Sequence, residues 1–161
     1  MIKSNDGNLW VASYDRESFI IDFEKKNRVK HEVKTINERF NRSTLIVTIS
    51  KDTDNIYWLS QDRVGLCLYD KTTGKLTTSA DFPSTRNTHL NTVHELAPST
   101  TPHQVWALTN SFHLYGIVAE GMQMHLTHTI QLPSDHPTKT MFEDQSGKLW
   151  IGSYRGIFTY D

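Results

Sequence analysis

Most features that would assign chemistry on first reading are missing from this chain. There is one cysteine, Cys67, so no internal disulfide can form. No apolar run approaches the roughly 20 residues that a membrane-spanning helix needs, and the opening "MIKSNDGNLW" has no apolar core that could serve as a signal peptide. Charge of either sign is not in surplus. The 17 Lys and Arg against 18 Asp and Glu leave a net charge of −1, which argues against nucleic-acid partners and against membrane contact by this segment. A locally basic stretch, Lys25 to Arg42, reads as a solvated edge and loop. There is no glycine-rich phosphate loop, no G-x-S-x-G and no His-Glu-x-x-His, so no cofactor, metal or catalytic residue is expected. What remains is 161 residues with 37% hydrophobic content, the profile of one globular domain.

What the chain does have is a period. Its four tryptophans, Trp10, Trp58, Trp106 and Trp150, are separated by 48, 48 and 44 residues. Their neighbours agree in kind: Leu9, Tyr57, Val105 and Leu149 precede them, and Val11, Leu59, Ala107 and Ile151 follow. Such a short apolar run, bounded by turn residues, predicts a strand buried on both faces. A second strand follows at similar offsets, ending in "IIDFE", "CLYD" and "FTYD", after a polar link that contains Gly65 or Gly156 in two of the units. Hairpin turns come next, with Gly74 in one and Asn27 in the equivalent place of another, both residue types that tolerate positive φ. Segments such as "KLTTSADF" and "MQMHLTHTIQL", then "TLIVTIS", "TVHELA" and "KTMFED", supply further strands. About four short antiparallel strands per period predict an all-β fold, a partial β-propeller of four-stranded blades.

The closing phrase "DQSGKLWIGSYRGIFTYD" resembles the two-component regulator propeller repeat, whose pattern is roughly D-x-x-G-x-L-W-I-G-T-x-x-G-G-L-x-x-Y-D. "NDGNLWVAS" and "GLCLYDKTTGKL" match it in part, while "HQVWALTNSFHLYG" keeps little beyond its Trp. The resemblance implies a ligand-sensing propeller in the extracytoplasmic part of a sensor histidine kinase, similar to the glycan-responsive hybrid regulators of gut Bacteroidetes. By the same resemblance the parent protein would display the segment on the periplasmic or extracellular side of a membrane.

Aligning Met1–Ser4 with Met141–Asp144 places both ends of the chain within a blade. The expected blades are approximately 1–37, 38–84, 85–133 and 134–161, with the first and last incomplete, or roughly 3.5 blades where closed propellers have 4 to 8. The chain is therefore expected to be a fragment of a longer propeller, to form an open arc with exposed apolar flanks, and to pair with further blades or with itself through those flanks.

Candidate chemistry is sparse. His125 and His128, three apart on a predicted strand, should point to opposite faces and share no metal. His89 and His94 straddle a loop and read as surface histidines, and Cys67 reads as a packing residue. Asp6, Asp54 and Asp144 recur beside turns, where a carboxylate bonds nearby backbone N–H groups.

The links after the Trp strands repeat in kind: "SYDRES", "SQDRVG" and "SYRG" each carry an arginine. Equivalent links of a propeller emerge at one end, so Tyr14, Arg16, Gln61, Arg63, Tyr154 and Arg155 are candidate ligand-binding residues there. The third unit offers Asn110, Ser111 and His113 instead. Guanidinium groups and aromatic faces suit a polar or anionic oligosaccharide. The competing reading pairs each arginine with Asp15, Asp62 or another exposed acid. Non-catalytic ligand sensing is the favoured function. The alternatives are a piece of a propeller polysaccharide lyase or hydrolase, or a protein-interaction scaffold.

Overall fold

A computed structural model of the chain describes residues 2–3, 9–11, 18–22, 27–31, 46–53, 55–61, 64–134 and 137–161, the segments before residue 46 through their backbone. The described residues form four antiparallel sheets, each a simple meander. The first holds β1 (Ile2–Lys3), β2 (Leu9–Val11), β3 (Ser18–Asp22) and β4 (Asn27–His31). The second holds β5 (Ile46–Lys51), β6 (Ile56–Gln61), β7 (Gly65–Asp70) and β8 (Leu76–Thr78). The third holds β9 (Val93–Pro98), β10 (Gln104–Thr109), β11 (His113–Glu120) and β12 (Gln123–Gln131). The fourth has three strands, β13 (Thr138–Glu143), β14 (Leu149–Ser153) and β15 (Gly156–Tyr160). The all-β, partial propeller organisation expected from the Trp period is what the chain adopts. Among the described residues no helix is long and apolar enough to cross a membrane.

Each Trp lies on the second strand of its sheet, and Trp58 and Trp106 are each covered by the following sheet. Trp58, on β6, packs with Val105, Ala107, Tyr115 and Ile117 of the third sheet. Trp106, on β10, packs with Met141, Leu149 and Ile151 of the fourth. The two indoles are 1% and 6% exposed, whereas Trp150 on β14 is 41% exposed. Full burial of a Trp removes about 150–250 Å² from water, at most about 4–6 kcal/mol by area, so these two contacts are major terms in joining one sheet to the next. The expectation that Trp strands are buried on both faces holds for β6 and β10 and fails for β14.

Polar locks at one end of the sheets reinforce this packing. The Trp58 indole N–H donates to Asp52 Oδ1 at 3.4 Å, and that of Trp150 to Asp144 Oδ2 at 2.8 Å, in each case six residues earlier in the same sheet. Trp106 has Thr100 at that offset and donates instead to Glu143 Oε2 of the next sheet, at 2.6 Å. Thr100 donates to the same carboxylate, through its N–H at 3.2 Å and its hydroxyl at 2.7 Å. Asp52, in turn, lies 3.1 Å from His103 Nδ1 of the third sheet.

Several sequence expectations need correction. "KLTTSADF" is not one long strand: β8 stops at Thr78, because the Asp81 carboxylate accepts the Thr78 N–H at 2.7 Å and closes a 3-10 turn over Ser79–Asp81. Asn27 opens β4 opposite Asp22 and does not sit in the turn. His125 and His128 do not lie on opposite faces. A β-bulge sets His128 opposite Gly116 and His125 opposite Val118, and these two partners share a face, so the bulge cancels the alternation. Asp144 does bond its turn as expected, accepting the N–H groups of Ser146 and Lys148. Asp6 and Asp54 lie outside the described residues. Cys67 is fully buried, consistent with a packing role.

Candidate functional site

In a meander whose first strand is innermost, the link between the second and third strands emerges at the end where the first strand begins. All such links therefore share one end of the arc, opposite the carboxylate locks. At this end the crossings from sheet to sheet run alongside the links. Gly65, with φ +94, lies so close to the crossing that a Cβ built on it would stand 2.5 Å from the Leu90 carbonyl oxygen. The Asn110 N–H donates to the Thr92 carbonyl at 3.0 Å, and the Tyr154 N–H to the Pro137 carbonyl at 3.4 Å.

The third sheet contributes an aromatic column. The rings of His89 and His113 stack at 4.5 Å, and His113 stacks on Tyr115 at 5.7 Å, nearly parallel. Three contacts fix the column: the His89 N–H donates to the Tyr115 hydroxyl at 3.3 Å, His113 Nδ1 lies 2.8 Å from the Ser111 carbonyl, and the His113 N–H donates to Thr109 Oγ1. His89 is exposed and Tyr115 buried, so the column runs from solvent into the core.

The fourth sheet contributes cations and one exposed ring. The Lys139 ammonium lies 4.9 Å from the centre of the Tyr154 ring, which is 74% exposed. Arg155 is exposed beside it, in a link tightened by the Arg155 N–H donating to Ser153 Oγ and by Ser153 Oγ donating to the Gly156 carbonyl. Near the start of β9, burial pushes the His94 imidazole below its ordinary value. The Thr138 backbone opposes the shift and nearby Lys139 adds to it.

Of the residues expected at this end, Asn110, His113, Tyr154 and Arg155 are found there. Gln61 is withdrawn from the surface: it is the last residue of β6, paired with Ile46 and Gly65, and only 2% exposed, because the strand runs on beneath the link. Tyr14, Arg16 and Arg63 lie outside the described residues. His89, Tyr115 and Lys139 were missed. Tyr115 was detectable, since it stands two residues from His113 on one strand and must share its face. His89 and Lys139 reach the site from other elements and leave no local signal. Among the described residues no group of three or more metal-binding side chains converges.

Residues 131–155 match the two component regulator propeller family. No curated protein matches the chain. Among solved structures, the extracellular domain of BT3049 from B. thetaiotaomicron, described as belonging to a hybrid two component system, is similar over 99% of this chain and 20% of its own, with 17% identity and a TM-score of 0.67. The extracellular domain of BT4673 from the same organism, described in the same way, is similar over 99% of this chain and 19% of its own, with 15% identity and a TM-score of 0.68. The β-propeller domain of Cps50 (Swd1) from Myceliophteria thermophila aligns over 96% of this chain and 54% of its own, with 8% identity and a TM-score of 0.71. The chain thus spans about a fifth of the two bacterial structures and about half of the third, and at these identities the likeness is one of fold. By its architecture and by that stretch, the chain is a partial β-propeller carrying the two component regulator propeller repeat.

Proposed function

We propose that the chain is a ligand-binding segment in the extracytoplasmic sensor region of a two-component regulator, displayed on the periplasmic or outer side of a membrane. It takes a polar or anionic oligosaccharide without turnover. The observation that carries this reading is the Lys139, Tyr154 and Arg155 group. It sets an ammonium against an exposed aromatic ring, with the exposed Arg155 next along the chain, within the stretch that matches the sensor repeat family. A guanidinium meets a carboxylate or sulfate in two parallel hydrogen bonds, and a fixed tyrosine face offers a flat apolar surface at little entropic cost. The exposed His89, stacked on His113, lies at the same end.

Calorimetry with uronic-acid and sulfated oligosaccharides, and a neutral oligosaccharide as control, tests the reading. Arg155→Ala, Tyr154→Ala and, by equivalence of the links, Arg63→Ala should weaken binding of the anionic sugars while leaving the melting temperature unchanged. The sugars should be recovered intact. Binding that is indifferent to all three substitutions removes this end as the site, and cleavage of the sugar would favour a lyase or hydrolase.

A further inference from the structure

The inner strands of the second, third and fourth sheets carry a β-bulge at one and the same register. β5 leaves Val47 unpaired between Ile46 and Thr48, β9 leaves His94 unpaired between Val93 and Glu95, and β13 leaves Lys139 unpaired between Thr138 and Thr140. Before the unpaired residue stand Ile46, Val93 and Thr138, and after it Ile49, Leu96 and Met141, all buried. The scaffold is thus constant around a position that holds an isopropyl group, an imidazole and an ammonium in turn. A bulge re-aims the side chain it carries, and these three lie where the inner strands begin, at the end of the arc that bears the links.

His94 is the member whose chemistry is unspent. Both of its ring nitrogens are closed off from water and, among the described residues, neither meets a hydrogen-bond partner. Three inner-strand neighbours surround it. Lys139, at the equivalent bulge of the adjoining strand, is the charged group that acts on it from the fourth sheet. Glu95 follows it on β9 and is itself held towards the neutral acid by burial. From the second sheet β5 brings Val47 and Thr48, which carry no charge. The Lys139 ammonium also lies over the exposed Tyr154 ring, so one cation acts on both a solvent-facing ring and a buried imidazole.

We propose that the Lys139, Tyr154 and Arg155 group takes its anionic ligand together with a proton from solvent, and that the proton goes to His94. The inference rests on the ligand-binding reading above. An imidazole whose nitrogens are buried still responds to charge, because a low-dielectric interior screens poorly. The Lys139 ammonium disfavours the imidazolium. An anion set against that ammonium offsets it, and His94 can then charge. By linkage, the ligand raises the proton affinity of His94 by the same factor through which acid raises the affinity for ligand.

A sulfated disaccharide is the probe, since its sulfate stays ionised throughout the titration. Calorimetry in two buffers of different protonation heat should show net proton uptake, and affinity should rise about tenfold between roughly pH 8 and roughly pH 5. His94→Gln should abolish both effects, and Glu95→Gln should keep both. Without ligand, Lys139→Gln should raise the midpoint at which the His94 ring protons titrate by NMR. Binding that is weakened by Arg155→Ala yet takes up no proton, or that keeps its pH dependence in His94→Gln, overturns the inference and leaves the ligand-binding reading standing. A His94 midpoint unmoved by Lys139→Gln also overturns it, and failure of the disaccharide to bind at any pH overturns both.

Discussion

Trp106 and Glu143 join two successive sheets through a hydrogen bond of 2.6 Å, and the same carboxylate also takes the N–H and hydroxyl of Thr100. Burial works to raise the Glu143 carboxyl, and the hydrogen bonds from Thr100, Ser99 and Trp106 outweigh it, holding it below its ordinary value. The acid that Trp58 and Trp150 find within their own sheets is thus supplied to Trp106 by its neighbour. Replacing Glu143 with Ala should cost about 1.5–3 kcal/mol in urea unfolding, the usual worth of hydrogen bonds to a charged group. Adding Thr100→Asp in that background should recover part of the loss, because it restores an acceptor at the offset the other sheets use. Thr100→Asp alone should destabilise, since two carboxylates would then crowd one site.

The pH dependence of stability should show two separate windows. Asp144 is held down to about 2, by the Ser146 hydroxyl first and the Trp150 indole second. Its contribution is present above the unfolded value near 3.8 and is lost as pH falls towards 2. Carboxyl chemical shifts followed through an acid titration check this directly, and Asp144→Asn should remove that step.

His94 acts at higher pH. Its folded value lies below the ordinary 6.5, so the unfolded chain binds the proton first and stability falls as the solution is acidified through that range. Melting temperatures measured between roughly pH 8 and pH 5 should decline, and the decline should flatten in His94→Gln.

Two glycines should differ in what alanine costs. At Gly116 a Cβ would meet Thr127 Oγ1 at 2.8 Å, His128 Nδ1 at 2.9 Å and Trp106 Cζ3 at 3.1 Å, all side-chain atoms that can shift in part. A loss of about 1–3 kcal/mol is expected. At Gly65 the obstacles are backbone atoms of Leu90 and Asn91, and φ is +94, so neither the neighbour nor the residue can yield. Gly65→Ala should be the more damaging of the two in thermal unfolding, and equal losses would contradict the geometry.

The third unit shows where the sequence could be read and where it could not. Its Trp spacing was enough to place a sheet, because a buried indole needs a strand to hold it and a neighbour to cover it. Its repeat motif was unreadable because both signature residues are exchanged. Thr100 stands for the aspartate, and His103, at φ 61, stands where Gly147 turns at φ 87. Each exchange is compensated by another sheet, Glu143 for the acid and Asp52 for the histidine, and pairing across 37 and 51 residues leaves no local pattern. The candidate site divides the same way. Tyr154 and Arg155 were legible because their link repeats, and His113 because it stands in the equivalent place. His89 and Lys139 come from a crossing and an inner strand, which only the folded arc brings near the links. Gln61 misled because a polar residue beside a link reads as surface, whereas β6 carries it inside.

The bulge between Gly116 and Ile117 has an effect on the perimeter of the molecule. β12 is the longest outer strand among those described, it carries no formal charge and no proline, and a straight strand of that kind would be a ready template for stray polypeptide. With one residue extra at its middle, the strand cannot present an unbroken row of evenly spaced amide and carbonyl groups to a passing chain. The outer strand of the second sheet reaches the same end by brevity, with three residues. Chance encounters along the outer strands of the second and third sheets are therefore disfavoured.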